Sequence, residues 1–359
     1  MLTIIIEDDK ILRSLQVILD SNVSAERTHA YCDYLSVDTP DPLSWIEQQR
    51  KKAASILPMN IQMVESADSM RALIPNSHAI ITESLTIGGE ELDIGGELKL
   101  VQKFGMDTRN IDVPACERAG VLVRTLRRRV NGVVAEHAIL LMLAVGRKLI
   151  ETNGALDLFS LRSLGYKPKQ FDTNHISGAN WARIDGLRSL SGATVGALGM
   201  GEVGREVAVR AKAMGATIIY YQRSQLSEKL EQKYGATYTP YEELLQSSDF
   251  ISLHLPLTDQ TVGMIDDRSF ELMKPGAILT NISRAHIIDR DALIKALRSG
   301  DLGGAGLDVH YEEPANDTDD MLKSFKNVIL SPHIAVADRS HNMADTAELI
   351  DTLVDVFGV

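Results

Sequence analysis

The sequence predicts an α/β protein built from parallel, doubly wound sheets in two domains, and three observations predict it. Short apolar runs alternate with helical stretches along the whole chain. Residues 194–224 read without a break as strand, glycine turn, helix and second strand. With 359 residues and 44% hydrophobic content, the chain has apolar mass for two cores.

In residues 194–224, TVGAL is short and apolar, as a strand buried on both faces must be, and Gly199-x-Gly201-x-x-Gly204 follows at once. Gly199 lets the chain turn out of the strand, Gly201 removes the Cβ that would hold a pyrophosphate off the backbone, and Gly204 lets the helix lie close to the sheet. Residues 202–214 supply a helix opening at Glu202 and Val203, whose first amides and positive dipole end face the phosphates. This is a dinucleotide-binding βαβ unit. Its second strand, 218–221, ends in Gln222-Arg223-Ser224, where an NAD site usually carries an acid for the ribose hydroxyls. A neutral residue followed by Arg and Ser favours the 2′-phosphate of NADP(H), although Arg223 also suits a solvated strand end.

A net charge of −12 argues against nucleic acid as a partner, because a polyanion requires a basic face. Cys32 and Cys116 form no CxxC or His-rich cluster, so neither a disulfide framework nor a structural zinc site is expected. MLTIIIEDDK reads as a first strand rather than a signal peptide, and no uninterrupted apolar run approaches a membrane span. A cytoplasmic protein without a membrane partner is the expectation.

Taken in order, residues 3–6 read as a strand and 10–19 as a helix, and 22–49 looks irregular until Pro42 opens a short helix. Strands are expected at 61–64, 78–81, 98–102 and 121–124. After the strand at 98–102, Lys103-Phe104-Gly105-Met106 forms a turn whose amides suit a carboxylate, or serves as a plain strand-to-helix connection. Residues 133–149 are apolar almost all round and read as a central buried helix. Arg127, Arg128 and Arg129 precede it, either as a solvated loop or as collectors of an anionic substrate or phosphate. Residues 151–190 are long and polar for a connection, so they wrap a neighbouring subunit or cover the site, with Trp181 and Arg183 as an anchor. Strands at 249–254, 277–282, 304–309 and 328–330 follow, with helical character at 261–273 and 290–299 and an amphipathic helix at 337–357.

Three strand ends carry polar residues that a buried sheet does not need: Asn281-Ile282-Ser283-Arg284, Asp308 running into Glu312-Glu313-Pro314, and Ser331-Pro332-His333. In an open α/β sheet the ligand sits beyond the carboxyl ends of the strands. Arginine clamps a carboxylate, histidine exchanges a proton near neutral pH, and an acid orients and charges that histidine. Each residue also has a bland reading, as a loop ion pair, an acidic-loop member or a cap. Three such coincidences behind a dinucleotide site are less economical than one site.

These segments, NISRAHIIDRDALIKAL, GAGLDVHYEEP and LSPHIAVAD in this order after LGMGEVGRE, resemble the signatures of the D-isomer-specific 2-hydroxyacid dehydrogenases, and LKLVQKFG, NID and VAEHAILLMLA resemble the segments before them. The resemblance runs from about residue 98 to residue 333. It implies two Rossmann-like or flavodoxin-like α/β domains with the active site in the cleft between them. Residues 1–130 with 333–359 would form the substrate domain and 131–332 an inserted dinucleotide-binding domain.

By motif, Arg284 is the substrate-binding arginine, His333 the acid/base and Glu313 its partner. Asp308 would lie beside the nicotinamide carboxamide. The implied cofactor contacts are Gly199, Gly201, Glu202, Val203, Gly204, Gln222, Arg223, Ser224, His254, Pro256, Ser283 and Asp308, with Lys103, Gly105, Met106 and Arg284 for substrate. The implied activity is hydride transfer between NAD(P)(H) and a 2-oxo or D-2-hydroxy acid, glyoxylate/hydroxypyruvate reductase-like or phosphoglycerate dehydrogenase-like, without a metal, in a homodimer. An alternative is a dinucleotide-sensing regulator like the corepressors that share the fold. The chain departs from the family pattern at Gly105-Met106-Asp107-Thr108-Arg109, at His310-Tyr311 in place of an aromatic–acid pair, and at the TLRRR loop.

Overall fold

A computed structural model of the chain describes residues 1–94, 96–315 and 320–358. It contains two compact units, Met1–Val130 with Asp338–Val359, and Asn131–Ala337.

The first unit holds a parallel sheet of β1 (Leu2–Glu7), β2 (Met59–Val64), β3 (Ala79–Thr82), β4 (Leu100–Lys103) and β5 (Leu122–Thr125), in the order β2-β1-β3-β4-β5. Strand side chains alternate between faces, so a run such as Ile4-Ile5-Ile6 is stable only with both faces covered. Ile4 and Ile6 enter one core with Leu15, Ile18, Leu349 and Leu353, while Ile5 enters the other with Met70, Ile74 and Cys116. The C-terminal helix Ser340–Phe357 joins the first core because its buried residues recur at helical spacing: Asn342, Asp345, Thr346, Leu349, Ile350 and Leu353.

The second unit holds β6 (Thr194–Leu198), β7 (Thr217–Tyr221), β8 (Ala236–Tyr238), β9 (Phe250–Leu253), β10 (Ala277–Asn281), β11 (Leu302–Leu307) and β12 (Val328–Leu330). Their order is β12-β11-β10-β9-β6-β7-β8, and every pairing is parallel. The winding reverses between β6 and β9, and beyond the carboxyl ends of that pair lies the crevice where ligands of such sheets bind. The helix Arg129–Gly146 places Ala135, Ala138, Met142 and Val145 in the core with Val195, Ala197, Phe250 and Ile278. Among the described residues it alone has the length and composition of a membrane span, and its apolar side is covered by this sheet.

Several elements differ from expectation. Residues 22–49 are not irregular: Ala25–Ser36 is a helix started by Ser24, whose hydroxyl accepts the Arg27 amide at 3.1 Å. Only Leu35 of that helix is buried, so no apolar period marked it. The helix expected at 133–149 begins at Arg129 and stops at Gly146. Strand β8 went unpredicted because it is three residues long with one buried side chain. Of 261–273 only Asp267–Leu272 is helical, capped by Asp266, whose carboxylate accepts the Ser269 amide. The second unit runs past the expected boundary at 332 to Ala337, because Asp308 accepts hydrogen bonds from the amides of Ile334 and Ala335 and so holds that segment to β11.

Candidate active site

The glycine turn is built as its residues require. Gly199 has φ +99°, and a Cβ there would stand 2.7 Å from the His254 carbonyl oxygen. Nothing lies within 4 Å of the Cβ position of Gly201, the N-cap of the helix Glu202–Ala213, and no side chain caps that helix. An open approach to first-turn amides is what a pyrophosphate needs, so the turn fits a dinucleotide.

Around the turn, Gln222 Oε1 accepts the Met200 amide at 3.1 Å and Gln222 Nε2 donates to the Ser224 carbonyl at 2.7 Å. Arg223 and Ser224 are exposed. Ser283 donates to the Leu253 carbonyl at 2.7 Å, tying the β10 loop to the end of β9. His254, at that same end, buries both ring nitrogens without a hydrogen-bond partner, and burial pulls its pKa down to about 3. Pro256 follows on the exposed loop.

Three adjacent strands deliver the other polar groups. Because β10, β11 and β12 are neighbours, Arg284, Glu313 and His333 leave the same edge of the sheet within two strand spacings, roughly 10 Å. His333 Nδ1 and Glu313 Oε2 are 2.6 Å apart, and Glu313 Oε1 accepts the His310 amide at 3.1 Å. Burial raises the Glu313 pKa, but the hydrogen bonds from His333 and from the His310 amide outweigh it and hold the carboxyl below the ordinary carboxylate range. His333 sits in the left-handed region, φ +55°, which a non-glycine residue keeps only when its surroundings enforce it. Arg284 is exposed and donates to its neighbour, the Ser283 carbonyl, at 2.6 Å.

Asp308 is engaged within the protein. It is fully buried, and its carboxylate accepts from Ser331 Oγ at 2.6 Å and from the amides of Ile334 and Ala335 at 3.0 and 2.8 Å. His137 Nε2 lies 2.9 Å from the same Ser331 hydroxyl. The residues flanking His333 on both sides are thus fastened to one buried carboxylate.

In the first unit, the Lys103 side chain is committed to protein partners. It is buried, and its ammonium donates to the Glu83 carbonyl and to Asn110 Oδ1 at 3.0 Å. Gly105, with φ +144°, and the half-exposed Met106 form the turn, in which Arg109 binds Asp107 at 2.7 Å. The arginine run is largely structural. Arg128 pairs with Glu83 at 2.5 Å and lies 4.3 Å from the Phe104 ring centroid, and Arg129 binds Asp345 and Glu348 at 2.7 Å each. Arg127 is exposed. Trp181 accepts the Lys169 amide through its carbonyl, and Arg183 lies over Phe171, which folds the 167–184 loop onto itself.

With this geometry in place, comparison with known proteins is decisive. Residues 160–335 match the family described as D-isomer specific 2-hydroxyacid dehydrogenase, NAD binding domain. Glyoxylate reductase of Thermococcus gammatolerans is 41% identical over 252 residues, 70% of this chain and 71% of that one. The chain belongs to the D-isomer-specific 2-hydroxyacid dehydrogenase family. Glyoxylate reductase of Thermococcus litoralis is 39% identical over 241 residues, 67% of this chain and 68% of that one. D-mandelate dehydrogenase of Rhodotorula graminis shares the fold, with a TM-score of 0.59 at 22% identity over 99% of this chain and 94% of that one.

As a 2-hydroxyacid dehydrogenase, the protein is an NAD(P)-dependent oxidoreductase that interconverts a 2-oxo acid and a 2-hydroxy acid. Its cofactor is a nicotinamide dinucleotide and its substrate a small molecule. Sequence reasoning passed over two residues around the candidate site, His137 and the side chain of His310. His137 stood inside an apolar helical run, where a histidine reads as core. His310 stood out only as a departure from the family pattern.

Proposed function

We propose that this dehydrogenase reduces a small 2-oxo acid of the glyoxylate or hydroxypyruvate kind, with His333 as acid/base, Glu313 as its partner and Arg284 as the carboxylate clamp. The 2.6 Å contact between His333 Nδ1 and Glu313 Oε2 carries the reading. It leaves Nε2 as the ring atom that gives a proton to the carbonyl oxygen in reduction and takes it back in oxidation. The Glu313 carboxylate fixes the ring orientation through Nδ1. Arg284 holds the carboxylate and polarises the carbonyl through its planar fork. The amides of Gly105 and Met106 offer further donors to an anion, while Lys103 holds the turn from behind. When bound at Gly199, Gly201 and Gly204, the nicotinamide cofactor supplies the hydride.

Support for NADP(H) comes from the exposed Arg223 and Ser224 beside a neutral Gln222 that already braces the turn. A homodimer is supported by apolar surface on residues 140–187, where Leu156 is 82% and Phe159 84% exposed alongside Leu140 and Ile176. In this reading residues 1–130 with the C-terminal helix bind substrate, and the second unit binds the dinucleotide.

The test is His333→Ala assayed for glyoxylate and hydroxypyruvate reduction with NADPH and NADH. Loss of about 10²-fold or more in kcat is expected; activity within a few-fold of the parent would remove His333 from the chemistry.

A further inference from the structure

The residue after Val309 is a histidine in a place where the family pattern has an aromatic side chain, and the structure gives its imidazole a specific task. His310 Nε2 lies 2.8 Å from the Ser331 carbonyl oxygen. A carbonyl only accepts, so Nε2 carries the proton and donates. The same carbonyl oxygen accepts the His333 amide at 2.9 Å. The His310 amide in turn donates to Glu313 Oε1 at 3.1 Å, and Glu313 Oε2 meets His333 Nδ1 at 2.6 Å.

These four contacts close a ring: Glu313 to His333, His333 to Ser331, Ser331 to His310, and His310 back to Glu313. His310, Glu313, Ser331 and His333 also line one cavity of about 500 Å³. We propose that His310 is a positioning residue for the Glu313–His333 pair, its side chain and its amide together fixing the direction in which the His333 imidazole points.

The need for such a device is visible at His333. Its backbone is held at φ +55°, a conformation that is strained for a non-glycine residue and persists only under constraint. Asp308 constrains the segment from below through Ser331 Oγ and the amides of Ile334 and Ala335. His310 constrains it from the side, at the carbonyl that immediately precedes Pro332-His333. The ionisable groups facing His310 are Glu313, His333 and Lys323 around the cavity, with Asp308 and His137 reached through the Ser331 hydroxyl. A phenylalanine at 310 would pack in the same space but could not donate to Ser331, so against that side chain the donor is the difference.

The inference rests on His333 being the acid/base, and the experiment separates the two. His310→Phe keeps the shape and deletes the donor, while His310→Gln restores an N–H near the Nε2 position. For glyoxylate reduction, His310→Phe is expected to lower kcat about tenfold with the KM values for substrate and cofactor within about twofold, the size of one lost hydrogen bond. His310→Gln is expected to recover to within about threefold of the parent.

Should His310→Phe fold poorly, ¹⁵N-imidazole NMR of the parent reads the same contact. The Nε2–H tautomer of His310 supports the ring, and the Nδ1–H tautomer overturns it. The inference is also overturned if His310→Phe keeps the parent kcat while His333→Ala is inactive, or if His310→Gln recovers nothing. Activity retained in His333→Ala would instead overturn the acid/base assignment itself, and the positioning role with it.

Discussion

Gly204 lies so close to Gly199 that a β-carbon on it would stand 2.2 Å from the Gly199 carbonyl oxygen. The obstacle is backbone, so the helix Glu202–Ala213 would have to move rather than a side chain rotate. Gly204→Ala is expected to lose about 1–3 kcal/mol of stability and to weaken cofactor binding. Gly201→Ala meets no atom within 4 Å and has a φ of −69°, so it should keep parental stability and lose cofactor affinity alone. Denaturant unfolding beside NADPH fluorescence titration distinguishes the two; equal stability of both variants would refute the close-packing role of Gly204.

Glu313 sets a pH expectation with a definite sign. Its carboxyl is held below its ordinary value of 4.5, so the carboxylate that meets His333 Nδ1 is ionised above that value and is protonated only as the pH falls through the lower, folded-state pKa. The acid limb of the reduction profile should therefore show no Glu313 step above pH 4.5. Glu313→Gln is expected to lower kcat by about 10²-fold with little change in KM. A parental step above that pH which disappears in Glu313→Gln would contradict the pairing.

Arg223 should discriminate the two cofactors. Removing one charge-assisted contact to a 2′-phosphate by Arg223→Ala is expected to raise the KM for NADPH about tenfold and leave that for NADH unchanged. Gln222→Asp should favour NADH, since a carboxylate can still accept the Met200 amide while binding ribose hydroxyls. Parental kinetics that already favour NADH would defeat the NADP(H) assignment.

His254 makes the fold acid-sensitive. Its pKa falls from 6.5 to about 3 because its ring nitrogens are desolvated. Below pH 6.5 the unfolded chain binds a proton that the native chain refuses until about pH 3. Stability attributable to this group is complete above that window and declines by about 1.4 kcal/mol per pH unit on the way down. Urea unfolding of the parent and of His254→Gln at pH values on either side of 6.5 should give a steeper pH dependence in the parent; parallel slopes would show that the imidazole does not titrate there.

The legible parts of this fold are those whose requirements are local. Three glycines within six residues report a left-handed turn, an open approach and a close helix, and the structure realises all three at Gly199, Gly201 and Gly204. Alternating burial explains why Ile4-Ile5-Ile6 read as a two-faced strand. The helix Ala25–Ser36 was invisible because its sequence is polar and one cap, Ser24, starts it. The order of Arg284, Glu313 and His333 was readable because each follows a strand of one parallel sheet.

Legible from the chain alone were the class of fold, the dinucleotide turn and the residue types available at three strand ends. Those are consequences of backbone chemistry acting over a few residues. How the charges pair is set in three dimensions. Arg129 meets Asp345 across 216 positions, and Asp308 reaches Ile334 and Ala335 across more than twenty. The Lys103 ammonium turns to the Glu83 carbonyl and Asn110, and His310 closes a ring through the Ser331 carbonyl. A hydrogen bond depends on distance in space and leaves no periodic mark on the chain, so such partners become known only when the sheet order brings them together.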